Sequence, residues 1–259
     1  MSFPLYSKQA EIKGKVALIT GGTKNLGAAT ATELAKFGAN LFLHYHSSSD
    51  KESSEDLSKK LSSEYSVKVE LYQGNLNTAQ ELSDLYKAAK KAFPEGVDIA
   101  INNVGKVLKK PLVEISEAEF ESMDQINNKT AFFFIKEAGL NVNQGGKIIS
   151  IVTSLLAAYT PFYSIYQGTK AGVEYYSKAA SKELKDKGIS VNSVAPGPMD
   201  TPFLYGQETE GDISFYKSVG LGDRLTQVED IVPIIRFLAT EGGWITGQTI
   251  YASGGFTAH

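Results

Sequence analysis

A short apolar run that passes through a glycine-rich turn into a helix constrains this chain more than any other stretch. Lys15-Val16-Ala17-Leu18-Ile19-Thr20 has the composition of a strand buried on both faces. It leads directly into Gly21-Gly22-Thr23-Lys24-Asn25-Leu26-Gly27, then into a helical stretch from Ala28 to Phe37 closed by Gly38. Glycines let the backbone approach a ligand closely, and a helix start offers free N–H groups and the positive end of the dipole. An ordinary glycine turn is the simpler reading. The strand before it and the helix after it favour a phosphate cradle.

The same rhythm continues along the chain. Asn40 to Tyr45 and Val67 to Gln73 read as strands, and Thr78 to Phe93 as a helix with Leu82, Leu85, Tyr86, Ala89 and Phe93 on one face. Val97 to Ile101 is a strand ending in Asn102-Asn103-Val104-Gly105. The capping-box pattern Ser116–Glu119 opens a long helix carrying Asn127, Asn128 and Phe132 to Phe134. A strand at Lys147–Val152 is followed by Thr153 and Ser154, and the next helix ends near Gly188. Ile189–Val194 is a strand, followed by Ala195-Pro196-Gly197-Pro198. Residues 203–225 carry no clear period and predict a loop acting as a lid. Thr226 to Thr240 is helical; Pro233 is tolerated if the helix starts near Asp230 and kinks it otherwise. Gln248 to Ala252 is the last strand. Alternating strands and helices argue an α/β fold with a parallel sheet covered on both faces. Length and hydrophobic content, 259 residues and 42%, suit one domain at 14–259 behind a polar extension at 1–13.

Composition narrows the function classes. Net charge is −3 with no basic stripe, which argues against nucleic acid. The absence of cysteine excludes disulfides and thiolate zinc sites, and no metal is expected. No stretch approaches the ~20 apolar residues of a membrane span, and the start lacks a signal-peptide core. A cytoplasmic protein is the expectation.

The second strand ends in His44-Tyr45-His46-Ser47-Ser48-Ser49, with no acid before Asp50, which looks like the start of the next helix. An acid here would bind the ribose 2′-hydroxyl of NAD. Hydroxyls without an acid, and Lys24 inside the glycine turn, suit the 2′-phosphate of NADP(H) over NAD(H). Alternatively Lys24 is a solvated turn residue and His44 and His46 lie on the surface. Further along, Tyr166 and Lys170 sit four apart, on one helix face. A nearby ammonium favours the phenolate and lowers the tyrosine pKa, which makes an acid–base device.

Taken together, Thr20-Gly21, Gly27, Asn102 to Gly105, Asn128, Tyr166 with Lys170, Pro196-Gly197 with Thr201, and Thr246-Gly247-Gln248 resemble the short-chain dehydrogenase/reductase family in order and spacing, over residues 14–255. The resemblance implies a doubly wound Rossmann-type fold with a seven-stranded parallel sheet and helices on both faces. It implies NAD(H) or NADP(H) without metal, and a homodimer or homotetramer paired through helices at 116–140 and 164–187. Tyr166 would be the general acid, Lys170 would hold the nicotinamide ribose, and Asn128 would anchor a water in the proton relay. The cofactor site would take in Gly21, Thr23, Lys24, Asn25, Leu26, Gly27, His46, Ser47, Ser48, Asn75, Leu76, Asn103, Val104, Gly105, Pro196, Gly197, Met199 and Thr201. Three positions depart from the pattern. Asn25 replaces a glycine, Asn75 replaces the acid near adenine, and Thr153 stands where the catalytic serine lies 13 residues before the tyrosine, with Ser154 as the alternative.

The implied activity is NADPH-dependent reduction of a ketone or aldehyde to an alcohol. The alternatives are a 3-oxoacyl thioester reductase, for which Lys106, Lys109 and Lys110 would form a carrier-protein patch, and a catalytically silent dinucleotide-binding protein. Leu155, Phe162, Tyr163, Phe203, Leu204, Tyr205, Phe215 and Tyr216 are candidates for an aromatic substrate lining.

Overall fold

A computed structural model of the protein describes residues 12–257. The strands are β1 (Val16–Ile19), β2 (Asn40–Tyr45), β3 (Val69–Gln73), β4 (Val97–Asn102), β5 (Val142–Ile151), β6 (Ser190–Pro196) and β7 (Thr249–Ala252). The helices are α1 (Asn25–Lys36), α2 (Lys51–Tyr65), α3 (Ala79–Ala92), α4 (Glu117–Asp124), α5 (Thr130–Asn141), α6 (Leu155–Ala158), α7 (Ser164–Glu183), α8 (Pro202–Tyr205), α9 (Glu210–Val219) and α10 (Val228–Ala239). The described residues form one seven-stranded sheet in the order β3-β2-β1-β4-β5-β6-β7, every neighbouring pair parallel. The order reverses between β1 and β4, and ligands of such sheets bind beyond the strand ends at that point.

Strand alternation divides the core in two. Ala17 and Ile19 of β1 join Leu34, Leu41, Ile101, Ile149, Ile231 and Leu238 on one face of the sheet. Val16 and Leu18 point the other way, among Leu82, Phe93, Phe134, Ile148, Val173 and Val191. Ile12 is buried in the first of these clusters, so the packed domain begins before residue 14. The rest of the expected extension, residues 1–11, lies outside the described residues.

Two expectations change. Residues 203–225 are not a plain loop: they contain α9 and most of α8. The signal was local. Thr209 accepts the Asp212 N–H while Asp212 reaches back to the Thr209 N–H, a capping box that starts α9. Ile213 and Tyr216 then pack against Leu225, Leu204 and Phe256. In addition, α10 begins at Val228 and runs past Pro233, held by buried Ile231, Ile235 and Leu238. No helix among the described residues is long and apolar enough to cross a membrane.

Candidate active site

The loops after β1, β4, β5 and β6 converge on a cavity of about 320 Å³ at the switch point. Its first wall is the glycine turn. Gly21 (φ 59°) and Asn25 (φ 44°) both adopt left-handed backbone, so Asn25 supplies the geometry that a glycine would. Gly27 is obligatory: a Cβ there would lie 2.0 Å from the Gly21 carbonyl oxygen. Lys24 occupies the N-cap of α1 and makes no side-chain hydrogen bond to the helix. Gly21, Lys24, Asn25 and Leu26 therefore present the uncapped helix start to the cavity.

This turn is pinned from two sides. The Thr20 hydroxyl accepts the N–H groups of Asn103 (3.0 Å) and Val104 (3.3 Å), and Asn103 Nδ2 donates to the Thr20 (3.2 Å) and Gly21 (3.1 Å) carbonyls. Asn103 lines the cavity but its amide is committed to the turn. On the other side, His44 is buried, not on the surface. Its Nδ1 accepts the Gly21 N–H at 3.1 Å, so Nε2 carries the hydrogen and donates to Gly74 O at 3.0 Å. Burial pushes this imidazole down to about 4.

Lys24 is not free: its Nζ lies 2.5 Å from Asp50 Oδ1. Asp50 ends the single turn Ser48–Asp50, which Ser47 caps by accepting the Ser49 N–H. Seven of the expected cofactor residues lie off the cavity wall, Gly27 among them, buried in the turn beneath it. His46, Ser48 and Asn75 are exposed and Ser47 half-buried, whereas Thr23 and Leu76 are buried behind the wall. Gly105, Pro196, Gly197, Met199 and Thr201 do line it.

The chemistry gathers on α7 and the end of β5. Tyr166 is 7% exposed and faces the cavity, with its ring 6.4 Å from that of Phe203 and 6.1 Å from that of Tyr163. Burial pushes its phenol up to about 12, opposed by a hydrogen bond with the Thr153 side chain. Lys170, also buried, donates to Ile151 O at 2.9 Å and is held down to about 8 by desolvation. Burial therefore dominates both shifts, and Tyr166 stands above its free value where Lys170 alone is expected to lower it. Thr153 Oγ1 also accepts the Leu155 N–H at 3.2 Å. Both Thr153 and Ser154 border the cavity, and the contact with Tyr166 belongs to Thr153.

A π-helical segment, Gln125–Lys129, separates α4 from α5. It decides which asparagine faces the lysine. Asn127 is buried, accepts the Lys106 N–H and donates to the Lys106 carbonyl, both at 2.8 Å, and reaches Thr169 Oγ1 at 3.2 Å. A Cβ on Gly105 would stand 3.0 Å from Lys170 Nζ and 3.5 Å from Asn127 Oδ1, so these two side chains flank one glycine. Asn128 turns elsewhere. Its Nδ2 donates to Asp124 Oδ1 at 2.7 Å and its Oδ1 faces Gly172 of α7. Asn127 went unselected in the sequence because nothing there signals the π turn.

The far wall is aromatic. Leu155, Tyr163, Phe203, Leu204 and Tyr216 line it, whereas Phe162, Tyr205 and Phe215 are exposed. Glu208 joins the wall with its side chain only 1% exposed. The three expected patch lysines are engaged: Lys106 with Ser122, Lys109 with Glu208 and Asp212, and Lys110 with Glu119. Among the described residues no group of three or more acidic or histidine side chains could hold a metal ion.

A doubly wound parallel sheet with a cradle at its switch point, and a buried Tyr–Lys pair beside it, define a dinucleotide-type α/β oxidoreductase. The family model described as Enoyl-(Acyl carrier protein) reductase matches residues 21–257, and the chain belongs to the short-chain dehydrogenase/reductase family. It is 30% identical to the "NADPH-dependent aldehyde reductase-like protein, chloroplastic" of Arabidopsis thaliana, over 95% of each chain. Among solved structures, a Burkholderia cenocepacia protein crystallised with bound NADP is 46% identical over 96% of both chains, with a TM-score of 0.93. A short-chain dehydrogenase from Oenococcus oeni is 52% identical, covering 97% of this chain and 100% of its own, with a TM-score of 0.77.

Proposed function

We propose that this oxidoreductase uses NADPH to reduce a carbonyl, in a ketone or aldehyde, to the alcohol. One observation carries the reading: the Tyr166 phenol stands buried at the cavity wall, in contact with Thr153 and one helical turn from Lys170. Held up at about 12, the phenol keeps its proton at neutral pH and is ready to donate it to a developing alkoxide. The Thr153 hydroxyl, beside that phenol, holds the substrate oxygen. Lys170 is a buried ammonium that, among the described residues, donates to the Ile151 carbonyl alone, which suits it to the ribose hydroxyls next to the nicotinamide. Asn127, flanking Gly105 with Lys170, replaces Asn128 as the residue that keeps the proton path ordered.

The dinucleotide fits these residues: the uncapped start of α1 would take the pyrophosphate, and Lys24 would take the 2′-phosphate by letting go of Asp50. When bound, it supplies the hydride. NADPH rather than NADH is favoured by Lys24, by the bound NADP of the Burkholderia protein and by the name of the Arabidopsis relative. Ion pairs occupy Lys109 and Lys110, which weakens the case for a carrier-protein substrate. A silent dinucleotide binder would not need Tyr166 and Lys170 together at the cavity. The protein pairs with a second copy through α5 and α7, whose outward faces carry the exposed rings of Phe132 and Tyr175 and the exposed Leu140.

The test is NADPH oxidation at neutral pH against a panel of ketones, aldehydes and 3-oxoacyl thioesters, repeated with NADH. We expect ketones or aldehydes to turn over, and NADPH to give the higher kcat/KM. Tyr166→Phe should bind cofactor nearly normally and lose turnover by ~10²–10⁴-fold. Substantial reduction by the Phe variant overturns the assignment.

A further inference from the structure

The wall opposite the cofactor cradle carries a partly buried charge cluster that the hydride transfer does not use. Glu208, in the connection between α8 and α9, is buried at the cavity edge. Lys109 Nζ sits 2.5 Å from its Oε2 and 2.8 Å from Asp212 Oδ2. Both tyrosines of this wall turn their hydroxyls onto Glu208 Oε1: Tyr163 donates to it, and Tyr216 donates to it at 3.1 Å. Glu208 at the wall and Asp212 behind it thus set two carboxylates against one ammonium.

A phenol has one hydrogen. With those of Tyr163 and Tyr216 both spent on Glu208, the two phenol oxygens have only lone pairs left to offer. Lys109 likewise directs its ammonium at Glu208 and Asp212. The aromatic wall is in this way turned into a surface of hydrogen-bond acceptors, backed by the buried Glu208 carboxylate and, further out, by Asp212. Tyr163 also fixes the distance of this surface from the reacting centre, because its ring packs 6.1 Å from that of Tyr166.

We propose that Glu208 is a specificity-determining residue: it orients Tyr163 and Tyr216 as acceptors, so that the pocket takes uncharged carbonyl compounds bearing a hydrogen-bond donor, such as a hydroxyl or amide, and rejects those bearing a carboxylate. This rests on the carbonyl-reductase reading, and it names the substrate class of the same pocket. Oxo acids and other anionic ketones are excluded by it, and ring-bearing ketones with a donor one ring away from the carbonyl are admitted.

The test separates binding from turnover. The affinities of 4-acetylbenzamide and 4-acetylbenzoate, equal in shape and different in charge, are measured calorimetrically with protein saturated in NADP+, where no reduction can occur. The wild type should bind the amide about ten-fold or more tightly than the carboxylate, about 1.4 kcal/mol. Glu208→Gln should narrow that ratio, and Lys109→Met, which strips the one cation from the wall, should widen it. Opposite movements in two variants are not produced by a folding defect. Equal affinity for both ligands in the wild type, no binding of either, or a ratio that moves the same way in both variants or in neither, overturns the proposal. Turnover of the amide with NADPH is scored separately, so a protein that discriminates the pair but reduces neither refutes the reductase reading alone.

Discussion

At Lys170 and Tyr166, burial acts in opposite directions on two protons. Desolvation holds the lysine down to about 8 and the tyrosine up to about 12, so both are protonated at neutral pH. On the proposed mechanism, reduction needs the phenol as donor and the ammonium to hold the ribose. The kcat/KM for reduction should stay level through neutrality and then fall by about ten-fold per pH unit above about pH 8, as Lys170 loses its proton. Lys170→Arg keeps its charge across this range. Whatever activity it retains should show no such fall, and an identical decline in a pH–rate series would assign the titration to another group. His44 makes a second pH claim, on stability. Its ring is held down to about 4 in the fold against 6.5 when free, so as pH falls the unfolded chain takes up the proton first. The His44 contribution is whole above pH 6.5 and is lost as pH drops toward 4, a change of about 3 kcal/mol. Urea titrations at neutral pH and near pH ~4.5 should show a shallower acid loss in His44→Gln than in the wild type; equal losses would remove His44 as the cause. Neither residue's environment was legible beforehand. The sequence names the residue types in order, but a strand-end histidine looks the same whether it is solvated or wedged between Gly21 and Gly74.

The elements were more legible than their details. Strand–helix alternation, the glycine turn and the buried β1 are local patterns, and the sheet follows from them. The 13-residue interval from Thr153 to Tyr166 is equally local, and both residues line the cavity. What escaped was a helical irregularity. Asn127 and Asn128 are adjacent, and helical periodicity carries no sign that residues 125–129 wind with a π turn. One extra residue in a turn rotates everything beyond it, so spacing by itself cannot choose between neighbours. The helix inside the expected lid is hard to see for a related reason: α9 spans only 10 residues, and its one local signal is the capping box at Thr209–Asp212. A pair of single substitutions checks the asparagines. Asn127→Ala removes the clamp on Lys106 and the neighbour of Lys170, and should lower kcat by ~10²-fold or more. Asn128→Ala removes a bond to Asp124 away from the cavity, and should leave kcat within a few-fold. If Asn128→Ala is the crippled variant, the relay runs through it after all.

At the scale of the whole molecule, the proposed catalytic residues hang from helices whose outer sides carry exposed apolar residues. Phe132 of α5 is 45% exposed, and Leu140 of α5 and Tyr175 of α7 are 64% and 66% exposed. The Phe132 ring also meets the half-buried Tyr176 ring of α7 edge-on at 5.2 Å, so the two helices pack together through these rings beside the exposed residues. Clustered exposure of this kind marks an interaction face, whereas scattered apolar residues do not. A second copy is the natural occupant, because a two-fold axis lets one patch cover itself. The same two helices carry Tyr166 and Lys170 on α7, with Asn127 on the π turn that leads into α5, so pairing would brace the reacting groups from behind. Size-exclusion chromatography with light scattering should therefore return at least twice the monomer mass. Phe132→Glu combined with Tyr175→Glu puts like charges on the face of each copy and should shift the mass toward the monomer. Activity should fall along with the mass, chiefly through kcat, since neither side chain lines the cavity. A wild-type protein that elutes as a monomer at high concentration, or a charged double variant that keeps the wild-type mass, would place the partner surface elsewhere.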